Sequence, residues 1–222
     1  MSYYQTSWKI RPSQANDLTR VSQIFLQGFA ESVLHYVGGS SAGIQEALQD
    51  IFTVLSQHQP QGFLVADAKG TIGGYVIAIP NMQRLWWYVL SQGHLWQWTK
   101  RWLQGDYGVG LVQVLALIRN KLGFALSQFR LGKKAPKIKG HTAQILSIAV
   151  DPSYRGQGIG HALLGEAISY LATTEATFVK LEVRPSNTAA RKLYGSFGFQ
   201  AISTSEDSQG QWIVMVKTLH SK

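Results

Sequence analysis

Ile145-Leu-Ser-Ile-Ala-Val150-Asp151-Pro-Ser-Tyr-Arg155-Gly-Gln-Gly158-Ile-Gly160 is the stretch on which the reading of this chain turns. Ile145 to Val150 is an apolar run of strand length that ends at a turn, and it reads as a buried strand. Behind the turn, Ile159, Ala162, Leu163, Ala167, Ile168 and Leu171 recur at helical spacing and share one face. A strand, a glycine-bearing turn and a helix start together present free backbone N–H groups and the positive end of a helix dipole to an anion. Gly158 and Gly160 remove side chains where backbone would approach phosphate oxygens. The stretch predicts a phosphate-binding turn.

Spacing narrows the ligand. A dinucleotide fingerprint asks for G-x-G-x-x-G and a P-loop for a Lys-Ser or Lys-Thr pair after its last glycine. Neither fits, because His161 and Ala162 follow Gly160. The pattern present is Arg155-x-x-Gly158-x-Gly160. A second block follows at a suitable distance, Leu181-Glu-Val-Arg-Pro-Ser-Asn187-Thr-Ala-Ala-Arg-Lys-Leu-Tyr194-Gly-Ser-Phe-Gly198-Phe199. Its first part continues a strand, Phe178 to Val183. Ser186 or Asn187 is placed to cap a helix over Thr188 to Gly195.

Together the two blocks resemble those of the GNAT superfamily of acetyl-CoA-dependent N-acetyltransferases, over about residues 141–199. The second block comes closest to the branch that acetylates the N-terminal alanine of ribosomal proteins. The resemblance implies an α/β GNAT fold, a mixed and mostly antiparallel sheet flanked by helices. It implies acetyl-CoA as co-substrate and no metal. It further implies that the backbone of Ile148, Ala149 and Val150 grips the pantetheine arm. The turn Arg155, Gly156, Gln157, Gly158, Ile159 and Gly160 would take the pyrophosphate, and Asn187 would hydrogen-bond the pantetheine. Glu182 would be general base and Tyr194 general acid toward the coenzyme A sulfur.

The chemistry asks for such a pair on physical grounds. Acetyl transfer from a thioester needs a neutral amine, yet an α-amino group has a pKa of about 7.7–8.0 and lysine about 10.4. A base must take that proton, directly or through water, and the departing thiolate benefits from a nearby donor. Without the surrounding block, Glu182 would read as a solvated strand carboxylate and Tyr194 as a packing aromatic with a hydrogen-bonded tip.

Composition sets bounds. A length of 222 residues with 45% apolar content fits one domain with a real core. The chain has no cysteine, which excludes disulfides and a cysteine acyl relay. The six histidines show no metal-ligand spacing. The start, Met1-Ser-Tyr-Tyr-Gln-Thr-Ser-Trp-Lys9, has no apolar signal-peptide core, and no apolar run approaches 18 residues. A cytoplasmic protein is expected, peripheral at the membrane if any part of it binds lipid.

The remaining elements follow from periodicity. Trp8 to Arg11 reads as a strand, and Asn16 or Asp17 as the cap of a helix through Val21, Ile24, Phe25 and Phe29. Ser41 to Leu55 predicts a helix with Ile44, Leu48, Ile51 and Leu55 on one face. Gly62 to Ala68 and Thr71 to Ile79 predict a hairpin across Ala68-Lys69-Gly70. Ala201 to Ser205 and Trp212 to Thr218 read as closing strands across the turn Glu206 to Gly210. Residues 1–80 and 141–222 thus make the GNAT domain.

Residues 81–140 interrupt that plan. They carry Arg84, Lys100, Arg101, Arg119, Lys121, Arg130, Lys133, Lys134, Lys137 and Lys139 against Asp106 alone, a net of +9 that equals the charge of the whole chain. Five of the seven tryptophans lie there: Trp86, Trp87, Trp96, Trp98 and Trp102. Leu85 to Leu103 predicts a helix interrupted or ended near Gly93 or Gly105. Leu111, Val114, Leu115, Ile118, Leu122, Ala125, Leu126 and Phe129 predict another apolar face. Three roles fit: a helical hairpin packed on the core or on a second copy as a homodimer, a face for an anionic membrane surface, and an RNA or ribosome contact. Nucleic acid has only charge in its favour.

The ribosomal-protein enzymes are compact and, as far as the resemblance goes, lack such an insert, so their substrate does not carry over with the acetyl-CoA site. The acceptor is an amine, with a protein N-terminus or lysine favoured and a small amine open. A second functional class stays beside the enzyme: a catalytically silent acyl-CoA-binding module acting through its basic insert.

Overall fold

The computed structural model describes residues 8–37, 41–108 and 140–219, and among these seven strands form one sheet. In chain order they are β1 (Lys9–Pro12), β2 (Phe63–Ala68), β3 (Thr71–Ile79), β4 (Thr142–Val150), β5 (Phe178–Val183), β6 (Gln200–Asp207) and β7 (Gly210–Thr218). Their spatial order is β1-β2-β3-β4-β5-β7-β6. The β4–β5 pair is parallel and every other pair is antiparallel. This is the mixed, mostly antiparallel sheet that the sequence predicts.

Helices cover both faces. On one face lie α1 (Leu18–Gly28), α2 (Ala30–Val37), α3 (Ser41–His58), α4 (Met82–Ser91) and α5 (His94–Leu103); the other carries α6 (Ile159–Ala172) and α7 (Thr188–Ser196). Leu163, Leu164, Ala167 and Leu171 of α6 are fully buried against Val76, Ala143, Val179 and Leu181 of the sheet. On the opposite side Val21 and Ile24 of α1 and Phe52 of α3 pack on Phe63, Val65, Tyr75 and Ile77. Strand alternation thus sends successive residues of β2 and β3 into two separate cores.

The β2–β3 hairpin turns where the sequence predicts. Lys69 (φ 54°) and Gly70 (φ 92°) both take positive φ, the geometry of a two-residue type I′ connection between β2 and β3. The β6–β7 turn is tighter than the sequence suggests, because the strands extend to Asp207 and Gly210 around Ser208 and Gln209.

Several expectations change. Neither Asn16 nor Asp17 caps α1 with its side chain. Asp17 instead receives both terminal nitrogens of Arg11, at 2.6 and 2.9 Å, and the Gln14 N–H at 2.8 Å. The helix predicted through Phe29 ends at Gly28, and α2 starts anew at Ala30 after Phe29 leaves helical geometry (φ −123°). Ile51, expected on the inner face of α3, is exposed, and α3 runs on to His58. By contrast, the interruption expected near Gly93 in the Leu85 to Leu103 stretch is present: α4 and α5 are separate helices, broken at Gln92 and Gly93, where Gly93 takes φ 72°. The apolar face from Leu111 to Phe129, and the basic residues from Arg119 to Lys139, lie outside the described residues.

Leu163 has no solvent exposure and bridges α6 to the sheet. Truncation there removes buried methyl groups and leaves a cavity, so Leu163→Ala is expected to lower unfolding free energy by about 2–5 kcal/mol. Equilibrium denaturation in urea measures this.

Candidate active site

The parallel pair at the centre of the sheet is short. β4 and β5 pair only over Thr142–Gln144 and Phe178–Lys180, although β4 runs on to Val150 and β5 to Val183. The cause lies one residue further along. On the β3 side Ser147 faces Ile77 and Ile145 faces Ala78, so Leu146 is an extra residue in β4. A bulge of this kind bends its strand and ends the local ladder. The run from Ile145 to Val150 is accordingly less buried than an interior strand would be: Ile145 is buried, while Leu146 through Val150 are half-buried.

The alternation of backbone groups shows what faces the gap. Asp151 N–H donates to Gly73 O of β3 at 2.9 Å. Two residues back, Ala149 therefore directs its own N–H and C=O toward β3, and Ile148 and Val150 direct theirs toward the gap. One of these is engaged by the turn that follows, where Arg155 Nε donates to Val150 O at 3.3 Å.

That turn has the geometry of an anion cradle. Gly156 (φ 77°) and Gly158 (φ 80°) sit in the left-handed region, and a Cβ added at either would meet open space, so the surface above them is clear. Gly160 is different: its φ is ordinary and a Cβ would touch Leu193 and Val150 at 3.6 Å, so an alanine fits there. Ile159 sends its side chain into the core at 1% exposure, which leaves its backbone to face a ligand. Ala162 N–H is the first of α6 to reach a helical carbonyl, that of Gly158 at 3.0 Å. The N–H groups of Ile159, Gly160 and His161 precede it at the positive end of the helix. Gln157 is exposed and turns back to Ser153 O at 3.5 Å.

Glu182 and Tyr194 approach the gap from opposite faces of the sheet. In β5 the buried residues Val179, Leu181 and Val183 point to the α6–α7 side, so Glu182 points to the α1–α3 side. There its carboxylate meets Lys180 Nζ at 2.9 Å, with both side chains mostly buried. Tyr194 comes from α7 on the other side, 6% exposed and packed against Phe199 with ring centroids 6.1 Å apart. No described residue hydrogen-bonds its hydroxyl. Burial pushes the phenol up to about 12, so it stays protonated through the neutral range. Asn187 caps α7, its Oδ1 accepting from Ala190 N at 3.0 Å, which orients the NH2 end of the same amide outward.

Sequence reasoning missed the groups that hold this frame. Asp151, 4% exposed, accepts from Arg20 Nη2 of α1 at 2.5 Å, and from the N–H and hydroxyl of Ser153. It thereby ties the end of β4 and the start of the turn to α1. At the end of β5, Arg184 lies over the Trp212 ring at 3.8 Å and donates to Gln209 Oε1 at 2.7 Å. Gln209 in turn takes the hydroxyl of Ser32 on α2 at 2.9 Å. The β6–β7 hairpin is thus fastened to α2 on the face that carries Glu182. Partners 131 and 177 residues apart leave no local pattern to read. Among the described residues no group of three or more His, Cys, Asp or Glu is placed to hold a metal, and no helix is long and apolar enough to cross a membrane.

The model of the acetyltransferase (GNAT) family matches residues 39–199, more than half of the chain. The chain belongs to the GNAT acetyltransferase family. It is an acetyl-CoA-dependent N-acetyltransferase, with acetyl-CoA as co-substrate. A ribosomal protein bS18-alanine N-acetyltransferase of Salmonella typhimurium is 31% identical over 114 residues, which are 51% of this chain and 71% of that one. In fold, this GNAT chain superposes on a Pyrococcus horikoshii OT3 protein with a TM-score of 0.60 at 18% identity, covering 96% of this chain and 99% of that one. It also superposes on yncA of Salmonella typhimurium, solved with its cofactor acetyl-CoA, with a TM-score of 0.56 at 16% identity, covering 97% and 96%.

The buried Asp151 gives the GNAT frame a pH signature. Burial opposes its charge, but the Ser153 hydroxyl and N–H and the charges of Arg20 and Arg155 outweigh that and hold the carboxyl below the ordinary value of 3.8. A depressed carboxyl stabilises the fold above its ordinary pKa, and the stabilisation is lost as pH falls through the folded value. Asp151→Asn is expected to cost about 1–3 kcal/mol at pH 7. The gap between variant and parent in thermal unfolding should close below about pH 3.8. A gap that stays constant to pH 2–3 contradicts this role.

Proposed function

We propose that this GNAT enzyme acetylates the free α-amino group of a polypeptide, with Glu182 as general base and Tyr194 as general acid. The observation that carries the reading is the arrangement of these two side chains on opposite faces of the sheet beside the β4–β5 gap, with no described residue hydrogen-bonding the Tyr194 hydroxyl.

The residues of the cleft fit the coenzyme. The backbone of Ile148, Ala149 and Val150 would line the pantetheine arm, with Asn187 beside it. Arg155, Gly156, Gln157, Gly158, Ile159 and Gly160 would hold the pyrophosphate through backbone N–H groups and the start of α6. Acetyl-CoA supplies the acetyl group as an activated thioester. Glu182 takes the proton that the acceptor amine must lose, and Lys180 keeps the carboxylate in one orientation. Tyr194 donates to the departing sulfur, whose thiol belongs to a class with a pKa of about 8.5.

The size of the proton problem favours an α-amine over lysine. At pH 7 about one α-amino group in seven is already neutral, against about one lysine in 2,500. The smaller deprotonation task suits a site with a single carboxylate base. The name of the Salmonella relative, which acts on an N-terminal alanine, supports the same acceptor class.

Turnover of acetyl-CoA with peptides carrying a free or a blocked N-terminus tests the acceptor. Product is expected from free N-termini, and equal rates on blocked, lysine-bearing peptides would overturn the assignment. Tyr194→Phe is expected to lower kcat by about 10²-fold or more while acetyl-CoA affinity stays roughly unchanged. Full activity in that variant removes the acid. Tight acetyl-CoA binding by the parent without turnover on any amine would favour the silent binding module.

A further inference from the structure

Among the described residues, the exposed large apolar side chains other than Ile51 lie on α4 and α5, away from the acetyltransferase site. Trp86 is 58% exposed, Trp87 72%, Leu90 53%, Leu95 43%, Trp96 74% and Leu103 73%. A run of tryptophan and leucine turned to water in this way marks a surface made to be covered. Neither helix is loosely held. Leu85 and Val89 are buried in the core beneath α1 and α3, and the Tyr88 ring stacks on His58 at 4.7 Å and lies 5.5 Å from His94. Arg101 grips Asp50 of α3 at 2.6 and 2.7 Å, and Tyr107 donates to the same carboxylate at 2.5 Å. The inner face is therefore packed against the core and α3, and the exposed one is a separate surface.

We propose that this face docks on an anionic lipid bilayer. Charge selects the occupant. Residues 81–140 hold the entire net charge of +9, and their one acidic residue, Asp106, is tied to Arg101 at 2.9 Å. Lys100 lies on the exposed side of α5, one turn from Trp96. Seven further Lys and Arg residues, with no acidic one, follow in the sequence between Gly108 and Gly140. Exposed tryptophan and leucine joined to a cationic stretch is the pairing that holds a peripheral protein at an anionic interface, rings at headgroup depth and cations against the surface potential. A second copy of the chain fits poorly, because a two-fold contact would bring together two chains that each carry a net charge of +9. Nucleic acid asks for cations interleaved among the stacking rings. Here Arg84 and Arg101 are both paired with carboxylates.

Flotation of the full chain with vesicles tests this, using phosphatidylcholine alone and phosphatidylcholine with about 30% phosphatidylserine. Association with the anionic vesicles is expected, with a blue shift of tryptophan emission, weakening as salt rises, and at least roughly tenfold weaker association with the neutral vesicles. The triple variant Trp86→Ala, Trp87→Ala, Trp96→Ala is expected to lose binding roughly tenfold or more while keeping its circular dichroism and its acetyl transfer rate without vesicles. Absence of flotation at low salt overturns the proposal, as does equal binding by the variant. A parent dimer that the variant converts to monomer, without vesicle binding, assigns the face to a second copy. Loss of RNA affinity in the variant, again without vesicle binding, assigns it to nucleic acid.

Discussion

Beyond Gln144, β4 carries backbone N–H and C=O groups on its β5 side with no strand to receive them. Groups of this kind are normally paired, and leaving them unmade in a sheet interior is costly. The inserted Leu146 bends β4 away, the ladder stops, and a slot opens between two strands that are otherwise neighbours. The candidate catalytic and coenzyme-binding groups are arranged around that slot. The glycine turn closes one end, Glu182 approaches from the α1–α3 face, and Tyr194 approaches from the α6–α7 face. An extended ligand arm bearing amide groups would complete such an edge much as a strand does, so the interruption that weakens the sheet offers a candidate binding site.

The frame around the slot is built from contacts distant in sequence. Asp151 pins the end of β4 to α1 through Arg20, while Gln209 joins the β6–β7 hairpin to α2 through Ser32. Gly73 and Gly74 of β3 let this layer close. A Cβ on Gly73 would lie 3.0 Å from the Tyr154 ring, and one on Gly74 would lie 2.9 Å from Ala149 O. The glycine turn can therefore sit directly on the strand beside it. The exposed helices α4 and α5 leave the sheet after Ile79, at the opposite end of the long central strands from that turn. Docking through them would leave the mouth of the coenzyme slot clear.

Much of this was legible in the sequence because the chemistry is local. The turn from Arg155 to Gly160 and the block from Leu181 to Phe199 each place their functional groups within twenty residues, on a strand, a turn and a helix start. What escaped was of three kinds. The bulge at Leu146 is hidden because Ile145, Leu146 and Ile148 are all apolar, and an extra residue in an apolar run breaks no pattern. Asp17 looked like a helix cap, but Arg11 six residues earlier offered its carboxylate two charge-assisted hydrogen bonds, a stronger claim than one backbone N–H. Gly156, read as part of the pyrophosphate turn, fills a free position of the Arg-x-x-Gly-x-Gly pattern, so its positive φ went unread, although that φ demands glycine more strictly than the packed position of Gly160 does.

Amide hydrogen exchange with and without acetyl-CoA addresses the slot most directly. If the open edge of β4 and the glycine turn receive the coenzyme, protection should rise within Ser147–Val150 and Ile159–His161 on binding. Exchange in β2, already paired on both sides, should stay as it was. Tight binding of acetyl-CoA with no change at either segment would place the coenzyme elsewhere and contradict the site.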